Sequence, residues 1–272
     1  MICIKIDTKE EELREILIAQ LSQIGFESFE EEQTLNAYIS EDKFPKAELD
    51  DLIQLFHLSY TSQVIPHKNW NEEWEKNFQP VQVDDFCSVR AAFHPPNDQV
   101  QFDIVITPKM SFGTGHHATT FLMMQLMSGI SFTGRSVFDF GTGTGILAIL
   151  AEKLGAEKVL GMDIDEWSII NAKENAEMNE SGRITLLQSG NIQTGNAFDI
   201  VLANINRNVI LDHLPVLVSQ LNANGTVLLS GLLEEDFPIV DEKAQKLGLN
   251  LIGKREKNGW IAIKYLNLNQ GA

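Results

Sequence analysis

The chain has 272 residues, a net charge of −17 and two cysteines, Cys3 and Cys87. Its length allows one large and one small domain, while the cysteines are too few for a disulfide framework or a cysteine metal site. No apolar run reaches the roughly 18 residues needed to span a membrane, and the N-terminus lacks the features of a signal peptide. We therefore expect a cytoplasmic protein without a membrane partner.

The negative charge is concentrated near the N-terminus. Residues 1–66 carry five Lys or Arg and fourteen Asp or Glu, a balance of −9. Such a segment repels phosphate backbones and favours a basic protein partner, although an acidic surface also serves solubility alone. We expect a monomer that makes no direct contact with nucleic acid.

The first 65 residues predict the order β-α-β-β-α-β. Alternating isoleucines over 2–6 predict a strand, and Thr8 with Glu11 predicts a capping box for a helix over 9–23. The remaining predicted elements are strands over 26–30 and 35–39, a helix over 45–56 and a strand over 59–65. This order is typical of a ferredoxin-like α+β domain. Some sheets of this type bind RNA, which the balance of −9 disfavours here.

Residues 66–80 predict a linker with a short helix over 71–77. Trp70 and Trp74 lie four positions apart on that helix, and we expect them to pack between the linker and a domain. The predicted organisation is therefore a domain over 1–65, a linker over 66–80 and a second domain over 81–272.

The second domain predicts an α/β fold. Strands over 82–92 and 101–106 precede a helix ending near Met127, and strands then alternate with helices from Val137 onward. This alternation predicts a Rossmann-like, doubly wound parallel sheet. Asn258-Gly259 predicts a tight hairpin between the last two strands. A parallel sheet that closes with an antiparallel hairpin favours a methyltransferase over a dehydrogenase.

A glycine-rich turn follows the strand at Val137. Gly141, Gly143 and Gly145 are spaced more tightly than the dinucleotide pattern G-x-G-x-x-G, and Asp139 stands before them. A carboxylate there would repel the diphosphate of NAD but attract the ammonium group of S-adenosylmethionine. Asp163, at the end of the next strand, is placed to bind a ribose diol. The pattern therefore favours an S-adenosylmethionine site over a bare βα turn.

Asn204 ends a strand over 198–203 and is our candidate catalytic residue. Ligands bind beyond the carboxyl ends of parallel strands, so its amide oxygen can accept a hydrogen bond from a substrate amine. Many amino-methylating enzymes have Pro-Pro and an aromatic residue after this position, whereas here Ile205-Asn206-Arg207 follows. A strand-end cap is the structural alternative for Asn204.

The segment over 108–120 supplies two further candidates. Thr120 lies near a helix N-terminus, where it can help to hold the carboxylate of methionine, and an N-cap is the structural alternative. Phe112 is a candidate lid over the cofactor. His116 and His117 lack a third ligand for a metal, so we expect neither a metal site nor a catalytic histidine. Residues 189–191, after the third strand, are placed to contact the adenine.

Four stretches carry a resemblance to a known family: FGTGHHATT before Phe121, DFGTGTGILAIL from Asp139, GMDID ending at Asp165, and WNEEWEKNFQP from Trp70. Together they resemble the bacterial methyltransferases of ribosomal protein L11. The resemblance implies a class I methyltransferase fold and an N-terminal substrate-recognition domain on a flexible helical linker. It also implies S-adenosylmethionine-dependent methylation of lysine side chains and of the N-terminal α-amine of a basic ribosomal protein. The cofactor residues it implies are Thr120, Gly141, Asp163 and Asn204.

Three alternatives remain open at the level of sequence. A non-catalytic adaptor would bind S-adenosylmethionine without turnover. An enzyme that methylates glutamine or nucleic-acid bases is disfavoured by the missing prolines and by the negative charge. An NAD-dependent oxidoreductase is disfavoured by the glycine spacing.

Overall fold

A computed structural model describes residues 1–8, 10–31, 34–64, 79–107 and 117–268. The chain divides into two compact units, Met1–Asn77 and Phe78–Ala272. Within the described ranges, no helix is both long and apolar enough to cross a bilayer. The predicted linker helix over 71–77, with Trp70 and Trp74, lies outside the described residues.

The N-terminal unit has the predicted β-α-β-β-α-β order. Its elements are β1 (Ile2–Ile6), α1 (Glu11–Gln23), β2 (Ser28–Glu31), β3 (Leu35–Ile39), α2 (Lys46–Leu55) and β4 (Tyr60–Val64). The strands form one antiparallel sheet of order β2-β3-β1-β4. Alternate residues of a strand share a face, so Ile4 and Ile6 of β1 pack with Leu17, Leu21 and Leu49 of the helices in one core.

The predicted capping box at the start of α1 is wrong. The helix begins at Glu11 with Glu10 as its N-cap, and no side chain caps it. Thr8 therefore lies too early in the chain to cap the helix, and its buried hydroxyl has no hydrogen-bond partner. The Thr8 carbonyl instead accepts two bonds from the Arg14 guanidinium, at 3.0 and 2.8 Å.

The predicted strand over 82–92 is broken by a turn. Three short strands, β5 (Val81–Val83), β6 (Cys87–Arg90) and β7 (Phe102–Val105), form a separate sheet of order β5-β6-β7. Residues 84–86 form the turn between β5 and β6, and Asp84 adopts a left-handed φ of 48°. Asp readily adopts this conformation, but the apolar residues on both sides concealed the break in the sequence pattern.

The second unit is the predicted Rossmann-like fold. Its elements are α3 (Ala118–Met127), β8 (Ser136–Phe140), α4 (Ile146–Lys153), β9 (Lys158–Asp163), α5 (Glu166–Met178), β10 (Ile184–Gln188), β11 (Phe198–Asn204), α6 (Arg207–Ser219), β12 (Leu221–Leu233), α7 (Phe237–Lys246), β13 (Leu249–Lys257) and β14 (Trp260–Asn267). The seven strands have the order β10-β9-β8-β11-β12-β14-β13. Strands β8 to β12 are parallel, while β14 is antiparallel to both of its neighbours.

Each face of this sheet carries its own core. Ile200 and Leu202 of β11 pack with α3 and α4, whereas Val201 and Ala203 pack with α6 and α7. A strand buried on both faces must be apolar throughout, which explains the continuous apolar run of β11. The polar residues Asp163 and Asn204 appear where β9 and β11 end.

The C-terminal hairpin confirms the Asn-Gly prediction. Lys257 pairs with Trp260 across a two-residue turn. Asn258 and Gly259 have φ values of 55° and 78°, the two positive values that a type I′ turn requires.

Gly231 shapes the edge of the sheet where the glycine turn lies. The register between β12 and β14 shifts between Ser230 and Leu232, and Gly231 there has a φ of 85°. A Cβ atom on Gly231 would lie 2.1 Å from the carbonyl oxygen of Ile205. Ile205 in turn donates its N–H to the Ser230 carbonyl at 3.1 Å. The bulge therefore lets the backbone just after Asn204 pack directly against β12.

We expect Gly231→Ala to lower the free energy of unfolding by about 2–4 kcal/mol. The alanine would be strained at a left-handed φ, and its Cβ would clash with the Ile205 carbonyl, which is backbone and cannot move aside. Gly253→Ala is the matched control, because Gly253 also lies at a register shift but its added Cβ would find its nearest neighbour at 3.7 Å. The control should change stability by about 0.5 kcal/mol or less. Chemical denaturation of both variants measures the difference, and equal losses would contradict it.

Candidate active site

The turn after β8 alternates three glycines with Thr142 and Thr144, whose side chains are buried. Gly141, Gly143 and Gly145 have φ values of 74°, 53° and 79°, a conformation that favours glycine. The N–H groups of Gly141 and Thr142 both donate to the Met162 carbonyl, at 2.8 and 3.0 Å. Helix α4 begins directly after the turn, so its N-terminal N–H groups face the same edge of the sheet.

Asp163 holds the middle of this turn. Its Oδ2 accepts the Gly143 N–H at 2.9 Å, and its Oδ1 accepts the Asp165 N–H at 3.1 Å. An ionised carboxylate offers about four lone-pair sites, so acceptor capacity remains for a diol. The Asp163 carbonyl also accepts the N–H of Ser189 at 3.0 Å, which places the start of the 189–191 segment beside it.

Asp139 lies beneath the turn and is only 1% exposed. The hydroxyl of Thr142 donates to its Oδ2 at 2.6 Å. Burial raises the pKa of Asp139 to about 7, opposed by the Thr142 hydrogen bond and reinforced by the negative charge of Asp163. The sequence predicted that Asp139 faces the ligand, whereas the structure buries its side chain against Thr142 of the turn. Its charge would therefore act at short range through the turn.

Asn204 and Thr120 meet across the sheet edge. The Nδ2 of Asn204 donates to Oγ1 of Thr120 at 3.2 Å, and Thr120 is 2% exposed. Among the described residues, Oδ1 of Asn204 accepts no hydrogen bond. The Thr120 hydroxyl therefore fixes one end of the Asn204 amide and leaves the acceptor end available.

His117, not Thr120, caps helix α3. The Nδ1 atom of His117 accepts the N–H of Thr119 at 3.3 Å and contacts its hydroxyl at 2.8 Å. The ring packs edge-on against Trp260, with centroids 4.7 Å apart. The N-cap alternative for Thr120 is thus wrong, and His117 has a structural role. His116 and Phe112 lie outside the described residues.

The structure also reveals a site residue that the sequence did not. The Cγ2 of Ile205 lies 2.4 Å from where a Cβ on Gly141 would be, so Ile205 covers the first glycine. This position holds a proline in the motif that the sequence lacks. The missed signal is the pair Gly141 and Gly231, since the first makes room for the Ile205 side chain and the second for its backbone.

The predicted residues converge at the carboxyl edge of three adjacent strands. Gly143 contacts Asp163, Ile205 covers Gly141, and Asn204 is held by Thr120. A turn that offers glycine backbone, a carboxylate with spare acceptor sites and an amide held by Thr120 suit the binding of a nucleoside-like cofactor beside an amine. Within the described ranges, no group of three His, Cys, Asp or Glu side chains is arranged to hold a metal ion.

Comparison with known proteins places this arrangement in a family. The model of the ribosomal protein L11 methyltransferase family (PrmA) matches residues 3–267. A ribosomal protein L11 methyltransferase from Porphyromonas gingivalis is 43% identical over 92% of this chain and 90% of the relative. One from Phocaeicola vulgatus is 40% identical over 94% of both chains.

Solved structures agree with the sequence relatives. The crystal structure of a ribosomal protein L11 methylase from Lactobacillus delbrueckii subsp. bulgaricus matches with a TM-score of 0.65 and 30% identity, covering 69% of this chain and 98% of that chain. A methyltransferase from Pyrococcus furiosus, at 21% identity and a TM-score of 0.51, shares the fold over 60% of this chain and 89% of its own. The family model spans nearly the whole chain, and the chain belongs to the ribosomal protein L11 methyltransferase family.

Proposed function

We propose that this protein transfers methyl groups from S-adenosylmethionine to ribosomal protein L11, at lysine side chains and at the N-terminal α-amine. The observation that carries the proposal is the hydrogen bond from Asn204 to Thr120, at the same sheet edge as a glycine turn held by Asp163. Within the described ranges, no group donates a hydrogen bond to the amide oxygen of Asn204. Ribosomal protein L11 is proposed as the substrate because the chain belongs to the ribosomal protein L11 methyltransferase family.

The residues of the site fit S-adenosylmethionine. Gly141 and Gly143 present bare backbone, and Asp163 keeps acceptor sites for a ribose diol. Burial raises the pKa of Asp139, and Asp163 lies close enough for its charge to raise that pKa further. Such a site attracts the ammonium and sulfonium groups of S-adenosylmethionine and repels a diphosphate. Thr120 and Phe112 are the proposed contacts to the methionine end.

The cofactor supplies an electrophilic methyl group, so the protein mainly aligns and desolvates the amine. A lysine amine must first lose its proton, which costs about 4–5 kcal/mol at pH 7 from its reference pKa. A partly dry site next to a cation lowers that cost, because both disfavour an ammonium. The proton of the lysine ammonium is first lost to water. The Asn204 amide oxygen then accepts a hydrogen bond from the neutral amine, which orients the lone pair of the amine nitrogen toward the methyl group.

The acidic N-terminal unit is the proposed docking site for the basic substrate. Its 1–66 segment carries a balance of −9, which attracts a basic protein and repels ribosomal RNA. The linker over 66–80 would let one active site reach several amines in turn. Consistent with this, we propose a cytoplasmic monomer that contacts protein and not nucleic acid.

Asn204→Ala should lower kcat for methylation of L11 on the order of a hundredfold, because a misaligned amine forfeits the gain from orientation. Radiolabelled methyl transfer and mass spectrometry of L11 measure it, with calorimetry of S-adenosylhomocysteine binding alongside. Asn250→Ala, on an exposed position of β13, is the matched control and should retain full activity. Full turnover with unchanged cofactor affinity in Asn204→Ala would disprove the role, and no methylation of L11 by the wild-type protein would disprove the function.

The affinity for S-adenosylmethionine should rise with pH through about 7. Asp139 has a pKa of about 7 in the free protein, so below this pH it is protonated and must lose a proton before it can attract a cation. Relative to Asp139→Asn, wild-type affinity should increase by up to about tenfold per pH unit below 7. Calorimetry from pH 6 to 8 measures both curves, and the variant also corrects for titration of the cofactor's own amine. Parallel curves would show that Asp139 is not coupled to binding.

Removing acidic charge from the N-terminal unit should weaken substrate docking alone. Glu48→Gln with Asp51→Asn, both exposed on α2, should raise KM for L11 severalfold and leave cofactor affinity unchanged. The effect should shrink at high salt, where exposed charges are screened. Glu157→Gln with Asp212→Asn removes two exposed charges from the other unit as a control. An equal KM increase in both double variants would argue against a dedicated docking unit.

A further inference from the structure

The peptide group between Thr144 and Gly145 opens helix α4. Gly145 is the N-cap of this helix and has a left-handed φ of 79°. Its N–H donates to the Thr142 carbonyl at 2.8 Å, which closes a turn over residues 142–145. Because a trans peptide group is planar, its carbonyl points opposite to its N–H. The Thr144 carbonyl is therefore directed away from the Thr142 carbonyl and needs a donor elsewhere.

Asn175 of helix α5 provides such a donor. Its Nδ2 donates to the Thr144 carbonyl at 2.8 Å, and its Oδ1 accepts the N–H of Thr107 at 2.9 Å. Both Asn175 and Thr144 are buried, with no exposed surface. A buried carbonyl that loses its donor costs folding free energy, so the amide favours the orientation in which the Thr144 carbonyl faces α5.

Helix α5 packs directly against this peptide group. A Cβ atom on Gly145 would lie 3.2 Å from the Cβ of Ala172 and 3.4 Å from its Cα. Ala172 and Asn175 are three positions apart and therefore lie on the same face of the helix. The face of α5 that approaches Gly145 thus also carries the donor for the carbonyl of the same peptide group.

Gly145 also makes a second orientation of the peptide group accessible. A flip of the peptide plane changes φ at Gly145, and glycine tolerates either sign of φ. The flip would move the Thr144 carbonyl away from Asn175 and break the bond from Gly145 to Thr142. It would also turn the first peptide group of α4, at the sheet edge that carries Asp163. A hydrogen bond that only one orientation can make shifts the population toward that orientation.

We infer that Asn175 is a positioning residue of the cofactor site, which selects the orientation of the Thr144–Gly145 peptide group before the cofactor binds. Asp163 acts on the neighbouring part of the turn, where its Oδ2 accepts the N–H of Gly143 at 2.9 Å. The glycine turn is thus fixed from outside at one N–H and at one carbonyl. The consequence for cofactor affinity rests on the proposed function, whereas the choice of orientation does not.

Asn175→Leu tests the inference, because it keeps the approximate shape and removes the donor. Site-resolved hydrogen exchange of the full-length protein without cofactor should show the Gly145 amide exchanging about tenfold faster in the variant, since the flipped orientation lacks the bond to Thr142. Asn175→Ala introduces a strong helix former, should repeat the change, and serves if the leucine variant does not fold.

Asn179→Leu is the matched control. Asn179 lies one helical turn further on, at the C-cap of α5, and binds the N–H and the carbonyl of Val105 at 3.0 and 2.6 Å. Its side chain also donates to the Asn175 carbonyl. The control therefore removes buried amide bonds from the same helix, and it should speed exchange at Val105 and leave Gly145 unchanged.

Cofactor binding separates a positioning role from a merely structural one. If only a fraction of the free variant has the competent orientation, the apparent Kd rises by the inverse of that fraction. Calorimetry should show a Kd for S-adenosylhomocysteine about tenfold above wild type in Asn175→Leu and within about twofold of it in Asn179→Leu. The KM for S-adenosylmethionine should rise in parallel with kcat within about twofold of wild type, because bound cofactor restores the orientation.

Unchanged exchange at Gly145 in the Asn175 variants overturns the inference. Faster exchange with an unchanged Kd also overturns it, as does an equal rise in Kd in Asn179→Leu. A wild-type protein that binds S-adenosylhomocysteine but methylates no L11 would refute the proposed function, and exchange and calorimetry would still decide the role of Asn175.

Discussion

The hydrogen bond between the Asp163 carboxylate and the Gly143 N–H is the constraint on which the site depends. Three glycines with positive φ within five residues have many alternative conformations in the unfolded chain, so ordering them is costly. The cost is offset from three directions: Asp163 holds Gly143, the Met162 carbonyl accepts two N–H groups, and Asn175 holds the Thr144 carbonyl. All three partners belong to β9 and α5. These two elements therefore fix the conformation of the glycine turn.

The same contact shapes the electrostatics of the site. Burial is the main reason why the pKa of Asp139 is raised, and the charge of Asp163, placed against the turn, raises it further. The Thr142 hydroxyl opposes this by stabilising the charged form of Asp139. As a result, Asp139 changes between its protonated and ionised forms near neutral pH. A cation bound nearby would favour the ionised form. A phosphate would instead be repelled by an ionised Asp139, so we expect the turn to favour a cationic ligand over a diphosphate.

The sequence predicted those elements whose signals are local. The sequence predicts a strand over 158–163, a helix over 166–178 and a strand over 184–188. These bounds agree with β9, α5 and β10 of the structure, because each has a strong apolar pattern and a clear polar break. The sequence did not predict the turn at Asp84, because apolar residues continue on both sides of it. It wrongly predicted that Thr8 caps α1, whereas in the structure the Thr8 carbonyl accepts hydrogen bonds from Arg14. It also missed the tertiary roles of Asn175 and Ile205, since their partners lie far away in the chain.

Ile205 and Gly231 explain how the end of β11 is restrained without the prolines that many amino-methylating enzymes have after this position. A proline after the strand-end residue fixes the backbone by its ring. Here the Ile205 carbonyl packs so closely on Gly231 that no Cβ would fit there, while its N–H is bound to the Ser230 carbonyl. Close packing of two backbones thus provides the restraint that a ring provides elsewhere. The Asn204 amide, one residue earlier, is oriented at its far end by Thr120 and at its base by this contact. The restraint at the end of β11 therefore comes from the β12 bulge and not from a proline motif.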